Sequence, residues 1–206
     1  KTLAYKDQLV GLLTISIVST GKYVLPYLLT GFLKKNPGVE ISIDVTNREK
    51  VFESQIENEV DFSLVSDEVN GSNFNSLDLI NNDLYLIGNR ENALLNPTFI
   101  YPDLKNEPPL IFREYGSGTR KVMEDYLKKQ GIVGLKKIEL KSNEAVKQAV
   151  IAGLGYSIMP IIGIKNELKS GELQIIKREG LPISTPWKLI WHKDKKLSPV
   201  GNAFLN

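Results

Sequence analysis

Four short segments hold the groups of this chain that can do chemistry: Ser19-Thr20-Gly21, Thr46-Asn47-Arg48, Glu114–Arg120 (EYGSGTR) and Lys141-Ser142-Asn143. Each is rich in hydroxyl, amide or glycine residues, and each stands between an apolar run and a stretch of helical periodicity. Unpaired N–H groups at a helix start carry partial positive charge and donate to oxyanions. Ser19, Thr20, Ser117 and Thr119 add hydroxyl donors. Arg48 and Arg120 offer forked, charge-assisted bonds to a carboxylate or phosphate. The shared chemistry is the binding of a small anion. Taken singly, Ser, Thr or Asn before a helix is a cap worth about 1 kcal/mol, and Gly116 and Gly118 serve to bend the chain. Arg113 reads equally as facing solvent or pairing with Glu114. The anion reading rests on four turns agreeing.

Other chemistries find less support. Gly116-Ser117-Gly118-Thr119-Arg120 lacks the spacing and terminal Gly-Lys-Ser/Thr of a phosphate loop, and the Gly-x-Ser-x-Gly of a nucleophile elbow is absent. With no cysteine and one histidine, His192, a transition-metal site is not expected, nor is any cofactor. His192 follows Trp191 at a strand end, where a rim position is the simpler account. Trp187 and Trp191 alternate onto one side of that strand and read as packing. Glu114 and Glu144 are the local candidates for acid–base work, so enzymatic activity is not expected. The 26 basic and 24 acidic residues interleave to a net charge of +2, against a dedicated nucleic-acid surface. The opening apolar run is too short to span a bilayer and lacks a signal-peptide cleavage site. A cytoplasmic location follows as the default, and the bare ends read as those of a piece of a longer protein.

The elements that must position these turns repeat. Leu12–Val18 reads as a strand, KYVLPYLLTGFLKK as a helix stopped by Asn36-Pro37-Gly38, and Val39–Val45 as an alternating strand. REKVFESQIENE is a second helix, and Asp61–Ser66 a third strand ending at Ser66. The same β-α-β-α-β order returns with Pro109–Arg113, RKVMEDYLKKQG, Lys136–Leu140, NEAVKQAVIAG and Gly155–Pro160. Gly131 stands where a glycine ends a helix. Val60, Phe62, Ser63 and Leu64 align with Leu154, Tyr156, Ser157 and Ile158, as duplication of one unit would give. Asp83–Gly88 is a further strand, followed by a Pro- and Asn-rich stretch over Asn89–Pro109. Then come a helix over Ile161–Leu168, strands at Leu173–Ile176 and Trp187–Trp191, and a helix start at Pro199–Leu205. Alternating βα units predict mainly parallel sheets in two α/β lobes. Ligands of such sheets bind beyond the carboxyl ends of the strands, where all four turns fall.

Over almost its whole length the chain resembles the effector-binding domain of LysR-type transcriptional regulators, in the branch of the carbon-fixation regulators and, more distantly, the cysteine regulators. The resemblance is carried by LTISIVSTGKYVLPYLLTGF, NPGVEISIDVTNRE, FREYGSGTRKVME, SNEAVKQAVIAGLGYSIMP and GLPISTPWKLIWHKDKKLSP, in the family's order. It implies the type 2 periplasmic-binding-protein-like fold. Residues 9–85 and 163–206 would form lobe I, residues 86–162 an inserted lobe II, and two crossing strands the hinge. Residues 1–8 would be the remnant of a linker helix that follows the family's winged helix-turn-helix, which this chain lacks. An anionic metabolite would bind in the interlobe cleft. Its candidate contacts are Ser19, Thr20, Gly21, Asn47, Arg48, Ser66, Glu114, Ser117, Gly118, Thr119, Arg120, Ser142 and Asn143. Dimers and tetramers are implied, as is DNA binding by the full-length protein only, with no membrane partner. The stretch Glu91–Asn96 departs from the His-Pro-Leu pattern of many members. A solute-binding protein of a transporter is the alternative with the same fold.

Overall fold

The computed structural model describes residues 8–66, 69, 73–95 and 108–206. Contacts divide the chain into unit 1, residues 1–80 and 186–206, and unit 2, residues 81–185. The expected linker remnant lies outside the described residues except for Gln8, which is in no regular element.

In unit 1, β1 (Val10–Val18) lies between β2 (Gly38–Thr46) and β3 (Phe62–Val65), all parallel. The apolar alternation of β1 explains why it is central: Leu13, Ile15 and Ile17 are buried on one side, and Ser16 and Val18 on the other. Antiparallel β9 (Ile183–His192) joins β3, pairing Leu64 with Leu189. A 3-10 turn over Ser19–Tyr23 precedes α1 (Leu25–Lys35). The sequence predicted one helix from Lys22. Pro26, which has no N–H to give, sits instead in the first turn of the helix, where none is needed. Then come α2 (Arg48–Ile56) and, at the far end of the chain, α7 (Pro199–Leu205). Phe204 of α7 packs on Phe32 of α1 at 5.2 Å and on Phe62 of β3 at 5.6 Å between ring centroids, tying both chain segments of the unit together.

Unit 2 repeats the order. β5 (Leu110–Arg113) pairs in parallel with β6 (Lys137–Leu140), and a parallel bridge joins Leu110 to Tyr156, just before β7 (Ser157–Pro160). The order β6-β5-β7 therefore matches β2-β1-β3 of unit 1. α4 (Gly118–Lys129) and α5 (Asn143–Ile151) make the crossovers. Gly131, at φ +67°, closes α4: Ile132 N–H donates to Leu127 O at 2.9 Å and Gly131 N–H to Lys128 O at 3.1 Å.

Strand β4 (Phe74–Asn89) is far longer than the Asp83–Gly88 that hydrophobicity marked. Its first half, NSLDLINN, is of mixed polarity, yet β4 lies beside β9 in the sheet, and Lys188 Nζ of β9 donates to Asp78 at 2.6 Å. The chain passes between the units twice, within β4 after Ile80 and within β9 after Thr185. Short α3 (Arg90–Leu95) opens the stretch expected to be irregular, its start fixed by Asn89 Oδ1 accepting from Asn92 N–H at 2.9 Å. Residues 163–185, expected with the first lobe, cluster with unit 2. The reason is packing. Ile164, next to α6 (Lys165–Ser170), and Leu173 of β8 (Leu173–Ile175) are fully buried in one core with Ile87 and Val150, and β8 pairs antiparallel with β4.

Candidate anion site

The strand register decides which turns meet. In unit 1, Val18 lies opposite Thr46 and Ile17 opposite Leu64, so the chain leaves β1, β2 and β3 at one carboxyl edge. Ser19, Thr20, Gly21, Asn47, Arg48 and Ser66 all follow within a few residues. Thr20 is 4% exposed and Gly21 is buried. A Cβ on Gly21 would stand 3.1 Å from Ile17 Cβ, so glycine lets the 3-10 turn lie directly on the sheet. Asn47 caps α2, its Oδ1 accepting from Lys50 N–H at 3.0 Å. Arg48 lies over the Phe52 ring, 4.5 Å from its centroid.

In unit 2, Arg113 lies opposite Leu140 at the carboxyl ends of β5 and β6. The turn from Glu114 to Ser117 carries Gly116 at φ +83°, a backbone state that favours glycine. Ser117 Oγ accepts from Arg120 N–H and Ser142 Oγ from Ala145 N–H, at 3.5 and 3.0 Å. The side chains of Asn47, Ser117 and Ser142 thus cap helices. Gly118 begins α4. Arg113, Thr119, Arg120, Asn143 and Ser157 line one narrow crevice together with the apolar Met123, Val146, Ile158 and Met159, too tight in this state to admit a water molecule. Asn143 is 7% exposed.

Two cations face this edge. Arg113 is 5% exposed and makes a two-armed pair with Glu114, Nε to Oε2 and Nη2 to Oε1, both 2.8 Å. Arg120 donates to Glu124 at 2.8 Å, to Glu139, and to the Arg113 carbonyl at 3.1 Å. Burial alone would lower its pKa, but hydrogen bonds to Glu139 and Glu124 and the charges of both carboxylates raise it, so Arg120 stays a cation.

Arg113, which the sequence offers as facing solvent or pairing with Glu114, and Ser157 are not among the expected contacts. Arg113 ends a strand whose four residues are all buried, where a long cation needs a partner or a ligand. Ser157 Oγ donates to the Ile111 carbonyl at 2.7 Å. Its counterpart Ser63 and that residue's β1 neighbour Ser16 are fully buried with no hydrogen-bond partner on their hydroxyls. His192 sits at the edge of unit 1 against the Phe74 ring, its Nδ1 accepting from Asp194 N–H at 3.2 Å. Trp191 packs edge-on against Phe62. Among the described residues no group of three or more His, Asp or Glu side chains is placed to hold a metal ion. None of their helices is long and apolar enough to cross a membrane.

The profile of a family described as LysR substrate binding domain matches residues 6–206. The chain is 34% identical over 196 residues to the HTH-type transcriptional activator CmpR of Synechocystis sp. PCC 6803, covering 95% of this chain and 64% of that one. It is 35% identical over 202 residues to the HTH-type transcriptional regulator CbbR of Rhodospirillum rubrum, covering 98% and 67%. The chain thus spans about two thirds of the length of these relatives. Among solved structures, the regulatory domain of Synechocystis PCC 6803 CcmR in complex with 2-PG (2-phosphoglycolate) superposes with a TM-score of 0.84 at 32% identity, over 95% of this chain and 94% of that one.

Proposed function

Because the chain belongs to the LysR substrate-binding domain family, we propose that it is the sensing domain of a transcription regulator. On this reading it binds a small anionic metabolite at the carboxyl edges of its parallel strands. Its fold is the type 2 periplasmic-binding-protein-like α/β fold. One observation carries the reading: both units repeat one topology, and in both the hydroxyl, amide and guanidinium groups gather at the same end of the sheet.

Helix starts, Thr20, Thr119 and the arginines favour an anion over a neutral or cationic guest. The 2-PG bound to the CcmR domain has that chemistry, a phosphate and a carboxylate on a short carbon chain, and is the first ligand to try. Binding acts by differential affinity. A ligand that favours one arrangement of the chain shifts the population toward it, with coupling typically about 1–3 kcal/mol. In the full-length protein that shift would reach self-associated copies and their DNA-binding heads, in the cytoplasm where a regulator acts. A transporter's solute-binding protein is not favoured, since the relatives are named as regulators. The same names speak against an enzyme.

Calorimetric titration of the chain with 2-PG tests this. Thr20→Ala and Thr119→Ala should each weaken binding by about tenfold, the loss of one hydrogen bond to a charged group, with the thermal midpoint of the free protein little changed. Equal affinity in both variants, or no binding of 2-PG or related phosphorylated carboxylates, would refute the proposal.

A further inference from the structure

The Arg113–Glu114 pair has the geometry of an occupied anion site. Arg113 closes β5, whose four residues are all buried, and its side chain is 5% exposed within the crevice shared with Thr119, Asn143 and Ser157. On it rests the Glu114 carboxylate, with two parallel bonds of 2.8 Å. That is the arrangement in which a guanidinium receives a carboxylate or phosphate ligand. A cation so removed from water is costly without a counter-charge. Glu114 supplies one from the next position in the chain. The other guanidinium of the crevice differs: the partners of Arg120, Glu124 and Glu139, are 43% and 52% exposed, and water screens those pairs. Glu114 is 17% exposed, so its exchange for another anion has the larger energetic consequence.

Glu114 is also placed to leave. It sits in the turn between β5 and α4, and the hydrogen bond that closes this turn, Ser117 N–H to the Glu114 carbonyl at 3.2 Å, uses its backbone. The side chain can swing away from Arg113 with that bond intact.

We propose that Glu114 is a built-in competitor for Arg113: it holds the place of the effector's anionic group, and its displacement sets how tightly and how selectively an anion binds. The inference rests on the anion-sensing reading above and adds to it a residue, Arg113, that receives the ligand, and a residue, Glu114, that opposes it. It favours a phosphorylated or doubly charged effector, because a group of higher charge displaces a carboxylate more readily than another carboxylate does.

The experiment is calorimetric titration of the full 206-residue chain and its variants with 2-PG and with inorganic phosphate, folding being checked by circular dichroism. Glu114→Gln keeps the shape and removes the charge. It should bind 2-PG about tenfold more tightly than the parent, equivalent to about 1.4 kcal/mol. Glu114→Asp, too short to reach both arms, should give a smaller gain, and it serves where the glutamine variant folds poorly. Arg113→Lys, which keeps the charge and loses the fork, should weaken binding at least tenfold. If the parent binds 2-PG and both Glu114 variants bind it equally or more weakly, Glu114 is a ligand contact or a support for Arg113. The competitor proposal is then overturned while the sensing reading stands. If neither the parent nor the Glu114 variants bind either probe, both fall.

Discussion

Adding a single methyl group to Gly155 tests whether the seam between β5 and β7 organises unit 2. A Cβ built there stands 2.1 Å from the Pro109 carbonyl oxygen and 3.3 Å from Ile111 Cγ1. The clash is with backbone, so no rotamer relieves it, and β5 and the start of β7 must separate. Two hydrogen bonds hold that seam, Ile111 N–H to Tyr156 O at 2.7 Å and Tyr156 N–H to Pro109 O at 3.0 Å. Each contributes about 1 kcal/mol net, and a buried group left unpaired costs about 1–3 kcal/mol. Separation also pulls Leu110 and Tyr156, each 1% exposed, apart in one core cluster, at roughly 24 cal/mol per Å³ of void created. Gly155→Ala should therefore cost about 3–5 kcal/mol. The matched control is Gly31→Ala in α1, where a Cβ meets nothing within 4 Å. Removing a mid-helix glycine there should stabilise by about 0.5–1 kcal/mol. In urea unfolding, with a slope on the order of 2 kcal/mol per molar, the midpoint should fall by roughly 1.5–2.5 M for Gly155→Ala and rise slightly for Gly31→Ala. Coincident midpoints for the two variants would refute the account of the seam.

Further outcomes follow from the same contacts. Lys147 of α5 pairs with Glu144 and with Glu167 of α6, at 2.9 and 2.7 Å. Burial would lower its pKa, but hydrogen bonds to Glu167 and Glu144 outweigh that and raise it above the ordinary 10.5. The stability from this pairing is therefore complete below pH 10.5 and is lost as the pH rises through the higher folded-state value. Lys147→Met should flatten this alkaline decline in urea midpoints collected from pH 8 upward, and an identical decline in parent and variant would contradict it. Ser16→Ala and Ser63→Ala remove buried hydroxyls without partners, so each should leave thermal stability unchanged or raised; a loss above about 1 kcal/mol would mean that the hydroxyl makes a bond in solution. Tyr126→Phe deletes the bond from the phenol to the Glu179 carbonyl at 2.8 Å and should cost about 1 kcal/mol in denaturant unfolding, against no change if water replaces it.

Much of this molecule could be read from its residues, because apolar periodicity in a doubly wound unit is strong. The runs LTISIV, FSLV and LIFR are buried strands in the structure, and Asn47, Ser117 and Ser142 are the caps that their types announced. Two kinds of information were not local. The first half of β4 is of mixed polarity and holds its strand beside β9, so no long alternation marks it. Likewise α6 and β8 belong with unit 2 because Ile164 and Leu173 complete its core, which cannot be known before the fold is. For the site, residue types and helix starts suggest the anion chemistry, whereas the choice between a solvent-facing Arg113 and one buried and paired with Glu114 needed coordinates. An Arg-Glu dipeptide at a strand end looks the same in sequence whether it faces solvent or a crevice.

The two passages of the chain within β4 and β9 carry a consequence for the order in which the protein can mature. Unit 2 is one uninterrupted stretch, residues 81–185, and its synthesis is complete before Phe204 has been made. Unit 1 must wait for its last segment, since Leu189 and Ile190 pair along the edge of β3 and Phe204 packs on its Phe62. A polypeptide truncated after residue 185 should therefore hold one half with all its elements and one still searching, with the turns at Ser19 and Asn47 the last to gain a firm foundation.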